Sequence, residues 1–214
     1  VERGRGHGGF TAVANSVDVD ELARLAATCE LVLTGHSMGG AVAVVVGLRL
    51  AQLAARQGHE VSSVWEQKTH EKQATIKFGV AAFGAPATLC ECTAVEYQHT
   101  KKLFLCVNNT NDRVPFVMSE VPCVESWLES LVSRIASGTV REWLRWALNL
   151  HHTPDSLFAF VGIVLGLDNK GKPIPVATAQ DWQALPAATK TFKQHACSIY
   201  CRRILELALL EQQQ

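Results

Sequence analysis

Five consecutive residues carry a recognisable chemistry: Gly35-His36-Ser37-Met38-Gly39 fit the pattern Gly-x-Ser-x-Gly. A serine hydroxyl is a weak nucleophile at neutral pH. It attacks a carbonyl only with an adjacent base, itself oriented by a carboxylate. The pattern suits that task for steric reasons. It sets the serine on a strained turn, with Gly35 and Gly39 letting a strand and a helix pass close together. The hydroxyl then stands at a helix N-terminus, where backbone N–H groups and the helix dipole favour a developing oxyanion. The N–H of Met38 is one expected oxyanion donor. The competing reading is a Gly-rich turn with an inert serine, and the flanking sequence argues against it. Leu31-Val32-Leu33 is a short apolar strand leading in, and Gly40 to Gln57 is an Ala-, Val- and Leu-rich helix leading out.

The elements that must hold this turn follow from the rest of the pattern. Residues 1–11 are Gly-rich and read as irregular. Asp18 to Cys29 has Leu22, Leu25 and Ala26 at helical spacing, with Asp18 as N-cap. The helix from Gly40 is apolar nearly all round at its start, so it should be buried. Residues 59–74 are polar and read as a surface loop or insertion. Ile76 to Phe83 and Lys101 to Asn108 are further strands, the first closed by Gly84-Ala85-Pro86. Strands alternating with helices point to parallel βαβ units. Phe158 to Leu167 and Ile174 to Val176 flank Asp168-Asn169-Lys170-Gly171-Lys172, a hairpin signal. Thr189 to Leu210 reads as a terminal helix.

Composition bounds the class. The chain has 214 residues, 48% hydrophobic and 19% charged, with 20 Lys plus Arg against 20 Asp plus Glu. That length suits one domain, residues 1–214. A mean hydropathy of +0.09 suggests strands buried on both faces. Zero net charge argues against nucleic acid as a partner, because phosphate binding needs surplus Lys and Arg. The 18 residues from Leu31 to Leu48 contain no Asp, Glu, Lys or Arg, as a membrane span would. The polar and Gly-rich turn in their middle suits strand, turn and buried helix better. Seven cysteines, an odd count, with no Cys-x-x-Cys pair read as free thiols. His195, Cys197 and Cys201 supply only three close metal ligands, so no metal and no cofactor is expected. Residues 1–7 have no apolar core like that of a signal peptide. A cytoplasmic location, or one peripheral to membranes, is expected.

With these segments in order, the sequence resembles the class 3 (fungal-type) lipases of the α/β-hydrolase fold. Thr34-Gly35-His36-Ser37-Met38-Gly39-Gly40-Ala41 is similar to that family's elbow. His7-Gly8-Gly9-Phe10 is similar to its His-x-Gly-Phe segment, and Phe83-Gly84-Ala85-Pro86 to its Phe-Gly-x-Pro strand end. Asn111-Asp112-Arg113-Val114-Pro115 resembles its acid motif, and His195 with Tyr200 its terminal His-x4-Tyr. The resemblance implies an α/β-hydrolase: a mostly parallel sheet flanked by helices. It also implies leading strands and an Arg-Gly-Thr-like segment before His-x-Gly-Phe, which supplies the second oxyanion donor. On this reading the chain is N-terminally truncated and lacks that donor.

In such enzymes the chain order is Ser, then Asp or Glu, then His. The acid belongs just past a strand end. Asp112 follows Leu103 to Val107 by a few residues, whereas Glu120 and Glu125 lie farther along. Order leaves His151, His152 and His195 of eight histidines. His195 follows the last hairpin, where a loop can return a ring to the elbow. His151-His152-Thr153-Pro154 resembles a segment before a late strand of the family. The expected triad is therefore Ser37, Asp112 and His195.

Residues 123–150 form a helical insertion or cover. Val124, Trp127, Leu128, Leu131, Val132 and Ile135 repeat at helical spacing, and Trp143, Leu144, Ala147 and Leu148 do so after Gly138. They suit either a core helical pair or a cover that meets lipid. The expected function is hydrolysis of acylglycerol esters, with transient contact at a membrane or lipid-droplet surface. The alternatives are a phospholipase A1 or non-lipid esterase, and a catalytically silent module that binds lipid or protein.

Overall fold

A computed structural model describes residues 8–66, 75–90, 97–112, 114–116, 158–168, 172–176 and 192–211. Its centre is strand β3 (Thr75–Phe83), whose run of apolar side chains is buried on both faces. Strand β1 (Leu31–His36) pairs with it in parallel, from Leu31 opposite Phe78 to His36 opposite Phe83. Strand β2 (Glu60–Ser63) pairs in parallel with its first half, and strand β5 (Phe104–Asn109) with its second half. Strand β7 (Ile163–Leu167) continues the parallel sheet beside β5, and β8 (Pro173–Val176) closes it as an antiparallel hairpin. A separate antiparallel pair joins β4 (Leu89–Cys90) to β6 (Phe158–Ala159). The α/β class and the hairpin follow the sequence pattern.

Helix α3 (Met38–Arg56) packs on β1 and β3. Val44, Leu48 and Ala51 join Phe78, Val80 and Phe104 in the main core. The helix is long and apolar enough to cross a membrane, but most of it is buried inside the protein. Helix α2 (Val19–Ala26) starts as its sequence dictates. Asp18 accepts the N–H groups of Asp20 and Glu21, both at 3.0 Å, and so satisfies two orphan donors of the first turn.

Three expectations are corrected. Gly8–Asn15 forms helix α1 rather than irregular chain, because Phe10 and Ala14 bury completely against neighbouring elements and override the weak propensity of glycine. The side chain of Arg49 on α3 caps this helix by bonding the carbonyls of Ala14 and Val17. Within 59–74, Glu60–Ser63 is a strand, tied by the Ser63 hydroxyl to the Lys102 carbonyl at 2.8 Å. The terminal helix α4 runs from Cys197 to Glu211 and is preceded by a 3₁₀ turn over Phe192–His195. The cover assigned to 123–150 lies outside the described residues, as do His151, His152, Glu120 and Glu125.

Candidate active site

Ser37 sits between β1 and α3 with φ 58° and ψ −126°, the one positive φ at a non-glycine among the described residues. A side chain resists that region, so the turn is strained and needs support. Support comes from the Ser37 N–H, which donates to the Phe83 carbonyl at the end of β3 (2.9 Å). It also comes from close passage of the backbone. A Cβ on Gly35 would stand 2.3 Å from the Gly39 carbonyl carbon, so no other residue fits there. A Cβ on Gly39 would meet nothing within 4 Å. The requirement expected of both flanking glycines therefore falls on Gly35, and Gly39 supplies only the backbone that Gly35 must clear.

The first helical bond after the turn runs from Ala41 N–H to Ser37 C=O at 3.1 Å. The N–H groups of Met38, Gly39 and Gly40 precede it and have no acceptor in the helix. The Met38 N–H thus belongs to an anion-favouring helix start directly beside the serine.

The structure brings Ser37, His195 and Asp112 into one hydrogen-bonded line. Nε2 of His195 is 2.7 Å from Ser37 Oγ, and Nδ1 is 2.7 Å from Asp112 Oδ2. The three arrive from three elements: the β1–α3 turn, the segment after β5, and the 3₁₀ turn before α4. Asp112 is completely buried. A buried carboxylate needs full hydrogen bonding to stay charged. Oδ2 accepts from His195 and from the Tyr200 hydroxyl (2.7 Å), and Oδ1 accepts from the Val114 N–H (2.9 Å). With Nδ1–H committed to Asp112, Nε2 is left as the acceptor for the serine proton. The arrangement can deprotonate Ser37 as it attacks a carbonyl and stabilise the imidazolium that results.

Tyr200 joins the same hydrogen-bonded cluster, a place that the sequence reasoning did not give it beyond its spacing from His195. Besides donating to Asp112, its hydroxyl accepts the Asn109 N–H at 2.9 Å. Burial and the neighbouring Asp112 carboxylate push its ionisation far up, so it stays a neutral donor. Gly84, at φ 57°, makes room for its ring, because a Cβ there would stand 2.9 Å from the Tyr200 ring and hydroxyl. The usable signal was chemical: a buried tyrosine hydroxyl needs a partner. Asn109 also anchors the base segment, its Nδ2 donating to the Gln194 carbonyl at 3.0 Å.

A parallel sheet with a strained serine at a strand–helix turn, and an acid and a histidine delivered from later segments, defines the chain as an α/β-hydrolase fold. The lipase (class 3) family model matches residues 4–121, and the chain belongs to that family. Solved structures of similar fold include a triacylglycerol lipase described as having a serine protease triad at its catalytic centre. It is 15% identical with a TM-score of 0.53, over 91% of this chain and 59% of that one. The lipase from Rhizopus microsporus var. chinensis is 17% identical with a TM-score of 0.53, over 91% of this chain and 54% of its own. The Rhizomucor miehei triacylglyceride lipase is 16% identical with a TM-score of 0.55, over 91% of this chain and 59% of its own. This chain therefore spans between 54% and 59% of the length of these structures. No curated protein matches the sequence.

Proposed function

We propose that the protein is a serine hydrolase that cleaves carboxylic esters of acylglycerols through an acyl-enzyme on Ser37. The observation that carries this reading is the unbroken line Ser37–His195–Asp112, with both links at 2.7 Å. Ser37 Oγ attacks the ester carbonyl while its proton passes to His195 Nε2. The oxyanion forms beside the Met38 N–H at the start of α3. His195 then protonates the departing alcohol oxygen, and the acyl group remains on Ser37. Water, deprotonated by the same nitrogen, attacks the acyl carbonyl, and Ser37 leaves with the returned proton. Asp112 stays ionised throughout and holds the imidazole tautomer.

The acylglycerol substrate class is supported by membership of the class 3 lipase family. Such substrates are insoluble, so the reading includes contact with a membrane or lipid-droplet surface. An acyl-chain series of p-nitrophenyl esters, with and without a lipid interface, tests it on the intact protein beside Ser37→Ala. Ser37-dependent turnover that rises at an interface supports the reading. Turnover confined to short soluble esters sinks the lipid substrate and leaves the triad. A preference for diacyl phospholipid over triacylglycerol makes it a phospholipase. No Ser37-dependent turnover at all sinks the enzyme.

A further inference from the structure

One histidine stands inside the site without a part in the chemistry above. His36 ends β1, directly before the nucleophile. Its ring centroid lies 4.6 Å from that of His195, tilted by 35°, and 5.4 Å from that of Tyr200, edge-on at 67°. Its Nε2 is buried with no hydrogen-bond partner among the described residues.

We propose that His36 is a positioning residue for the base: its neutral ring stacks on the His195 imidazole and keeps it in line with Ser37, so that a proton on His36 stops turnover. The inference rests on the role of His195 proposed above. Ser37 is fixed by the sheet, and His195 arrives on a 3₁₀ turn. Gln194, beside the base, is held through its carbonyl by Asn109 and through its side chain by Arg203, and the His36 ring packs against the imidazole itself. A small displacement of a base costs rate steeply. Charge acts as well. During catalysis His195 becomes an imidazolium, and a second cation on a ring in contact with it opposes that step.

The titratable groups that face His36 are His195 from the 3₁₀ turn, Tyr200 from α4 and Asp112 from the segment after β5. Burial, first, and the neighbouring His195 lower the affinity of His36 for a proton, and the Asp112 carboxylate only partly offsets them. His36 is thus neutral at neutral pH and takes a proton only below the ordinary histidine range. The acid limb of kcat/KM should therefore steepen from a slope of about one toward about two as a second proton enters.

Two variants separate stacking from charge. His36→Phe keeps a ring and has no charge. His36→Ala has neither. At pH 8, His36→Ala should lose about 10- to 100-fold in kcat with KM nearly unmoved, and His36→Phe should recover most of that loss. Both variants should keep a slope of about one down the acid limb. Wild-type kcat in His36→Ala, or a steepened limb that survives in both variants, overturns the proposal.

A measurement without turnover keeps it testable if the enzyme reading fails. In NMR titrations of the intact protein, the His36 imidazole should titrate below 6.5, and His195→Asn should move that midpoint upward. An unchanged His36 titration in His195→Asn contradicts the contact itself. Absent Ser37-dependent turnover with the shift present contradicts only the proposed function.

Discussion

Replacing Tyr200 by Phe removes one hydroxyl from the buried end of the site. The ring remains, so its packing against Gly84 and His36 remains with it. Two hydrogen bonds go: the one donated to Asp112 Oδ2 at 2.7 Å and the one accepted from the Asn109 N–H at 2.9 Å. A hydrogen bond to a charged group contributes about 1.5–3 kcal/mol. Asn109 is completely buried, so its N–H is then left without an acceptor, at a further cost of about 1 kcal/mol. The combined loss is about 2.5–4 kcal/mol. A chain of this size shifts its midpoint by about 2–4 °C per kcal/mol, so Tyr200→Phe should lower Tm by about 5–15 °C. The rate should suffer less. Asp112 keeps His195 on Oδ2 and the Val114 N–H on Oδ1, so the base stays aimed. A loss of about tenfold in kcat/KM is expected from looser placement of the carboxylate. Scanning calorimetry and p-nitrophenyl butyrate turnover on both proteins check the two numbers. A midpoint within about 1 °C of wild type, equivalent to under about 0.5 kcal/mol, refutes the reasoning that the hydroxyl holds Asp112.

Other outcomes follow from the same geometry. Asp112→Asn should leave the fold intact and lower kcat by about 10⁴-fold, because the amide favours the wrong imidazole tautomer; single-turnover kinetics measure it. Gly35→Ala should fail to fold or melt far below wild type, since its Cβ would stand 2.3 Å from the Gly39 backbone, whereas Gly39→Ala should melt within a few degrees of wild type. Calorimetry of the pair decides. Ser37→Gly should be more stable than Ser37→Ala by about 1 kcal/mol, because glycine relieves the turn at φ 58°. Denaturant titration tests that difference. Protonation should also weaken the fold through His36. Its folded-state proton affinity is lowered, so the unfolded chain binds the proton more tightly. Its contribution to stability is therefore complete above pH 6.5 and is lost as the pH falls below it. His36→Asn should flatten that part of the stability–pH curve.

Much of the site was legible because its chemistry is local. The Ser37 turn is written in five adjacent residues with a strand before and a helix after, and Asp112 sits where a strand end would leave it. His195 followed from chain order and from its place after the hairpin. What stayed hidden depends on contacts between distant segments. His36 and Tyr200 meet His195 and Asp112 only when β1, β5 and α4 converge, and no local periodicity records that meeting. The β2 strand was hidden because Glu60, Ser62 and Ser63 look like loop, and it forms by pairing with β3 and bonding the Lys102 carbonyl. Helix α1 was hidden by Gly8 and Gly9, which the burial of Phe10 outweighs. The glycine pattern misled in one respect: Gly35 and Gly39 look equivalent in the motif, and only Gly35 is sterically required.

The central claim is that Ser37 is a nucleophile activated by His195 and Asp112. Labelling of the intact protein with a fluorophosphonate, followed by peptide mass mapping, tests it most directly. The expected result is one adduct on Ser37, formed at a rate that collapses in His195→Asn and Asp112→Asn while both variants stay folded. An adduct on another residue, or labelling of Ser37 at an undiminished rate without His195, would contradict it.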